Sequence, residues 1–115
     1  MTAAGDLRYL VYIDESITRV RARTTGGRDA FLADSDTQDA VLWRLQTLAE
    51  ATHKLSPSLE ERHPEIRWRA IYGFRNIAAH GYLDLHLDRA WEIVEVHLPP
   101  LESVISEELD RAGAE

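Results

Sequence analysis

The sequence predicts an all-α fold, an antiparallel bundle of four to five amphipathic helices forming a single domain over residues 1–115. Three observations support this. Apolar residues recur at spacings of three and four along most of the chain, no segment alternates apolar and polar residues as a half-buried strand does, and the periodic stretches are separated by short joints of Gly, Thr, Ser or Pro. With 115 residues, 44% hydrophobic and 29% charged, the chain has material for one core rather than two. It contains no cysteine, which excludes a disulfide framework, a thiolate zinc site and a cysteine nucleophile, and makes the cytoplasm the expected compartment. No run reaches the roughly 20 apolar residues of a membrane span, and residues 1–6 lack the basic-then-apolar pattern of a secretory signal.

The first helix is expected where Leu7, Leu10, Ile13, Ile17 and Val20 fall on one face, with Asp6 as its cap and a stop at Thr24-Thr25-Gly26-Gly27. A short piece over residues 30–33 leads to a second long helix. It opens within residues 36–39, buries Val41, Leu45, Leu48, Ala49, Thr52 and Leu55, and is closed by Ser56 and Pro57. His63 and Pro64 mark the next break, after which Trp68, Ile71, Phe74 and Ile77 or Ala78 line the apolar side of a third helix ending near Gly81. The longest helix comes last, with Leu87, Trp91, Val94, Leu98, Leu101 and Ile105 as its seam. Pro99 and Pro100 predict a kink or short break in it, because proline lacks the amide hydrogen and crowds the carbonyl four residues earlier.

The formal net charge is -7, a balance that taken whole argues against nucleic acid as a partner. Its distribution reverses that. Residues 84–115 hold nine acidic residues against Arg89 and Arg111 and so carry the entire excess. The neutral remainder contains two local basic patches, one with Arg19, Arg21, Arg23 and Arg28 and no acid, the other with Arg62, Arg67, Arg69 and Arg75 against Glu65. Twelve of the 13 basic residues are arginine, whose planar fork suits phosphate. Arg19, Arg21, Arg23, Arg67 and Arg69 are accordingly candidate RNA contacts; the plainer alternative is that each pairs with a neighbouring carboxylate.

The densest polar group lies where the third helix ends: Phe74-Arg75-Asn76-Ile77-Ala78-Ala79-His80-Gly81-Tyr82. Asn76 and His80, four apart, share a helix face, so the amide can orient the imidazole. Arg75 and His80, five apart, lie about 140° apart on an ideal helix and converge only if the helix frays at Gly81 or a second subunit contributes. An imidazole near neutral pKa can take the proton of a ribose 2′-hydroxyl, and a guanidinium can hold the scissile phosphate and its transition-state charge. Such chemistry needs no metal and favours two proton-transfer groups, which a symmetric dimer with facing helix ends supplies. The spacing alone leaves open a purely structural role, with His80 capping the last carbonyls of its helix.

The segment from Arg75 to Tyr82 resembles the R-x-x-x-x-H-x-Y motif of HepT-like toxins, the HEPN-domain ribonucleases of the HEPN/MNT toxin–antitoxin family. Further blocks are similar to that family in the family's order: Phe31-Leu32-Ala33, Gln38-Asp39-Ala40-Val41, Glu50-Ala51, Leu55-Ser56-Pro57, His63-Pro64-Glu65-Ile66 with Trp68, Trp91-Glu92-Ile93-Val94, and Leu98-Pro99 before Leu101. The resemblance implies a HEPN-type bundle, a homodimer, and metal-independent endoribonuclease activity on cellular messenger or transfer RNA. It also implies Arg75 and His80 as catalytic residues, with Asn76 in the polar position that follows the arginine. The partner it implies is a nucleotidyltransferase antitoxin of the MNT type that moves AMP from ATP to Tyr82. Two positions depart from the family pattern: Ala49 stands where glycine usually precedes the Glu-Ala pair, and His86 stands where an acidic or amide cap is common.

No cofactor and no metal is expected, since the five histidines include no H-E-x-x-H pattern and no i, i+4 pair, and Gly26-Gly27 lacks the lysine of a phosphate loop. Glu92, Glu95, Glu102, Glu107 and Glu108 read as a solvated face, and Trp43, Trp68 and Trp91 as core or interface positions, with stacking on RNA bases as the alternative. Two functions of different class follow. One is a toxin ribonuclease; the other is a catalytically inactive HEPN binding or scaffold subunit of a nucleotidyltransferase complex.

Overall fold

A computed structural model describes residues 5–75 and 85–114. Among them every regular element is helical: α1 (Asp6–Arg23), α2 (Gly27–Ala33), α3 (Ser35–His53), α4 (Pro57–Arg62), α5 (Trp68–Tyr72), α6 (Leu85–Glu92), a π-helical stretch (Ile93–His97) and α7 (Leu98–Ala114). The expected all-α bundle is the observed one. The central element is α3, which packs on α1, α2, α5 and α6, while α1 also lies along α7. Across the α1 and α3 contact, Tyr12 Oη donates to Thr47 Oγ1 at 2.8 Å. Arg8 and Tyr9 meet Ala51 and Lys54 on one side of that pair, and Arg19 and Arg23 meet Ala40 and Trp43 on the other, so the two helices run antiparallel.

The periodic stripes form the core. Leu10, Ile13, Ile17 and Val20 of α1 are fully buried, as are Leu98, Leu101 and Ile105 of α7; Val41, Leu45, Leu48, Ala49 and Thr52 of α3 and Leu55 beyond it are at most 5% exposed. Burying each large aliphatic chain contributes roughly 1.5–3 kcal/mol. The methyl of Ala49 is thus accommodated inside the core. Leu7, expected on the apolar face, is 45% exposed.

The chain breaks have local causes. Thr24 ends α1, its Oγ1 donating to Val20 O at 2.9 Å, and Gly27 opens α2 at φ +87°, a conformation that side chains disfavour. Asp34 caps α3 by accepting from the amides of Asp36 and Thr37, and the Thr37 hydroxyl and amide hold its carboxyl below the usual range. Ser56 caps α4, its Oγ accepting from Leu59 N, with Pro57 in the first turn.

Asp6, expected to cap α1, has another task. Gly5 occupies the cap position without a side-chain bond. Asp6 is 3% exposed and accepts from Ser56 N at 2.8 Å and Ser56 Oγ at 2.6 Å, tying the start of α1 to the start of α4. Asp6→Ala strands the Ser56 amide and is expected to lower stability by about 2 kcal/mol. A urea midpoint unchanged from the parent would contradict this account.

Two expected helices are interrupted. In place of one helix from Trp68 onward, α5 ends at Tyr72, Gly73 makes a turn, and helical geometry resumes at Phe74 and Arg75. A Cβ on Gly73 would lie 2.7 Å from the Arg69 carbonyl oxygen, so only glycine fits this turn without displacement. Trp68, Ile71 and Phe74 are buried as expected; Ile77, Ala78 and Gly81 lie outside the described residues. The break expected at Pro99 and Pro100 takes the form of the π-helical stretch just ahead of them. Both prolines lack the hydrogen that would bond the carbonyls of Glu95 and Val96, and widening residues 93–97 relieves the ring-to-carbonyl crowding.

Glu108, expected on the solvated face, is 0% exposed. It accepts from Arg62 Nη2 at 2.8 Å and lies 2.6 Å from His63 Nε2, joining α4 to α7. Burial pushes its carboxyl up, but the hydrogen bonds from Arg62 and His63 and the charges of Arg62 and Arg111 prevail and lower it to about 2.

Candidate functional site

Phe74 anchors the resumed helix in the core at 2% exposure, and the next residue turns outward toward α3. There Arg75 Nη1 donates to Glu50 Oε2 at 2.8 Å, with the arginine side chain 31% and the glutamate 49% exposed. That hydrogen bond is the main cause holding the Glu50 carboxyl below its ordinary range; burial opposes it, and the charges of Arg75, Lys54 and His53 assist. Lys54 Nζ lies 4.0 Å from Glu50 Oε1, and the His53 ring meets Tyr72 edge-on at 5.2 Å. The end of α3 and the start of the resumed helix thus gather two cations, a carboxylate, an imidazole and a phenol.

An exposed ion pair of this kind adds at most about 1 kcal/mol to stability. Its effect is orientation. One nitrogen of the guanidinium fork is fixed on Glu50, and the remaining N–H groups are of the type that grips a phosphate. Glu50 also borders a shallow cleft of about 430 Å³ between α1 and α3, which Tyr9, Tyr12, Thr47 and Lys54 help to line.

The other candidate residues are distributed as follows. Asn76, His80 and Tyr82 lie outside the described residues, as does the side chain of His86. Arg19 pairs with Glu15 of its own helix at 3.2 Å, Arg21 with Glu102 of α7 at 2.9 Å, and Arg28 with Asp88 at 2.8 Å. Arg23 has no ion-pair partner among the described residues. Arg67 and Arg69 are exposed at the start of α5. The first basic patch is therefore split: Arg19 and Arg23 turn to the α3 flank of α1, and Arg21 to the α7 flank. Among the described residues no group of three or more His, Asp or Glu side chains gathers as a metal site requires, and no helix is long and apolar enough to cross a membrane.

Sequence reasoning overlooked one feature. Glu50 entered only as part of a family-like block, and its cation stands 25 residues on. Of the three tryptophans placed at core or interface positions, Trp68 and Trp91 are buried, and Trp43 is 56% exposed and so outside the core.

A family model described as "Ribonuclease HepT-like" matches residues 13–108. The chain belongs to the HepT-like ribonuclease family. The matched span of this HepT-like chain includes Glu50, Arg75 and residues 76–82. It is 32% identical over 107 residues to a Methanocaldococcus jannaschii protein named "Gamma-glutamylcyclotransferase and putative RNase", covering 90% of this chain and 48% of that one. It is also 32% identical over 71 residues to the "Probable ribonuclease HepT" of Thermococcus cleftensis, covering 62% and 64% of the two chains. A Caldanaerobacter subterraneus protein named "Putative RNase" is 27% identical over 81 residues, 70% of this chain and 72% of that one. The HepT-like chain spans 48% of the first of these relatives and 64% of the second. No solved structure matches it at a comparable level.

Proposed function

We propose that this HepT-like chain is the toxin of a toxin–antitoxin pair, a metal-independent endoribonuclease that cuts cellular RNA, messenger or transfer, in the cytoplasm. The observation that carries the reading is Arg75, whose partly exposed guanidinium is held by Glu50, a residue that lines the α1 and α3 cleft. In the proposed reaction Arg75 grips the scissile phosphate, Asn76 orients His80, and the His80 imidazole takes the proton of the ribose 2′-hydroxyl. The 2′-oxygen bonds to phosphorus as the bond from phosphorus to the 5′-oxygen breaks. The leaving oxygen takes a proton from His80 of the partner subunit in a homodimer, and the products are a 2′,3′-cyclic phosphate and a 5′-hydroxyl.

Control is proposed to act at Tyr82. An MNT-type nucleotidyltransferase antitoxin transfers AMP from ATP to the tyrosine oxygen, releasing pyrophosphate. The bulky anionic adduct, two residues from His80, repels RNA phosphates.

The test is incubation of a mixed cellular RNA pool with purified protein in EDTA, followed by end-group analysis. Cleavage leaving 2′,3′-cyclic phosphate ends is expected. If folded, unmodified protein is inert toward every RNA class, the alternative of a catalytically inactive scaffold for the nucleotidyltransferase replaces it.

A further inference from the structure

Trp43 is the most exposed large apolar side chain among the described residues, at 56%. Its close partner is a cation: the Arg44 guanidinium lies 5.2 Å from the indole centroid and 6.0 Å from the Tyr12 ring, with Nη1 3.5 Å from Tyr12 Oη. Beside the indole a second cleft of about 480 Å³ opens between α1 and α3, with Ala22 and Ala40 as its small residues and Arg19, Arg23 and Arg44 as its charged ones. Among the described residues no carboxylate lines this cleft. Glu15 pairs with Arg19 from the same helix. A second copy docked here about a twofold axis would set the arginines against one another. An anionic ligand with aromatic faces meets both features at once.

The two clefts share one seam. Trp43, Thr47, Glu50 and Lys54 recur on α3 at spacings of four, three and four, and Trp43 stands seven residues from Glu50, about 10 Å along the helix axis. Glu50 holds Arg75. A strand whose scissile phosphate sits at Arg75 would reach Trp43 by passing from the first cleft over the Tyr12 and Thr47 pair to the second.

We propose that the α1 and α3 seam is a track for single-stranded RNA, on which one base stacks against Trp43 while Arg19, Arg23 and Arg44 hold the flanking phosphates. The inference rests on the ribonuclease reading for its choice of nucleic acid, and adds a subsite and a preference for unpaired strands. A duplex encloses the faces of its bases and offers nothing for the indole to stack on.

The test uses full-length protein carrying His80→Ala, so that the probe survives, and fluorescein-labelled oligouridine against a perfect RNA duplex of the same length. Trp43→Ala is expected to weaken oligouridine binding about tenfold, Trp43→Phe to retain most of it, and neither to change duplex binding. Because Trp68 and Trp91 are buried, oligouridine should quench the exposed part of the intrinsic emission, and Trp43→Phe should lose that quenching. Arg23→Ala and Arg44→Ala should each flatten the slope of log affinity against log salt by about 0.7. Parental affinity and salt slope in all three alanine variants would overturn the proposal. So would an altered sedimentation of RNA-free Trp43→Ala with unchanged RNA binding, which would make the patch a protein interface. Cleavage by protein with His80 intact is scored separately. Oligouridine bound at Trp43 without cleavage retires the nuclease and keeps the track; cleavage and binding both indifferent to Trp43→Ala retire the track and keep the nuclease.

Discussion

Arg75→Ala is expected to lower the rate of RNA cleavage by about 10²–10³-fold, the usual loss when one fixed donor to transition-state charge is removed. The fold should survive, because the pair with Glu50 is exposed and adds little to stability. Arg75→Lys should recover only a small part of the rate, since a point charge cannot grip both Glu50 and a phosphate as a planar fork does. Glu50→Gln separates holding from reacting. The guanidinium remains but loses the carboxylate that fixes it, so kcat should fall several-fold while KM stays level or drops as the rim becomes more positive. Single-turnover cleavage by proteins matched for melting temperature measures both. A Glu50→Gln protein altered only in stability would remove the positioning role.

The other large effect concerns the link between α4 and α7. Glu108→Ala leaves Arg62 and His63 facing a cavity at a fully buried position and is expected to cost about 3–5 kcal/mol. That is much of the margin of a small domain. Glu108→Gln keeps the shape and isolates the charge. The folded carboxyl sits at about 2, against 4.5 when unperturbed, so the folded state prefers it ionised. The resulting stabilisation, about 3 kcal/mol, is fully present above the unfolded value and is lost as pH falls from about 4.5 to 2. Chemical denaturation across that window should show the parent losing stability that Glu108→Gln does not lose. Parallel pH profiles would refute the assignment.

Both residues show what periodicity does and does not reveal. The stripes of α1, α3 and α7 were legible because burial repeats every turn. Glu108 was legible on the same grounds: three residues from Ile105 and seven from Leu101, it falls on the buried seam of α7, and its charge concealed that. Trp43 is the converse: about 200° around α3 from Val41, it stands opposite the buried stripe, and the angle alone takes it out of the core. Leu7 stands about 60° from Leu10, at the stripe's margin, where exposure is unsurprising. Asp6 with Ser56, and Glu50 with Arg75, could not be read at all, because partners 50 and 25 residues apart meet only through tertiary packing. The segment from Arg75 to Tyr82 stood out in the sequence as a motif, whereas the counter-ion of its arginine did not.

The partition of charge about α1 bears on how a polyanion arrives. Arginines on the α3 flank face a chain whose overall charge is -7, with Glu102 and its acidic neighbours on the other flank. At low ionic strength, where the screening length reaches about 30 Å at 0.01 M, an RNA bound as proposed would meet net repulsion at a distance; attraction would begin only at close range and from one side. Added salt then works in opposite senses on the two stages, hastening encounter by shielding the distant field and loosening the complex by competing for the guanidinium groups. Association rate and affinity therefore move in opposite directions as ionic strength first rises, a behaviour foreign to proteins that are cationic all over.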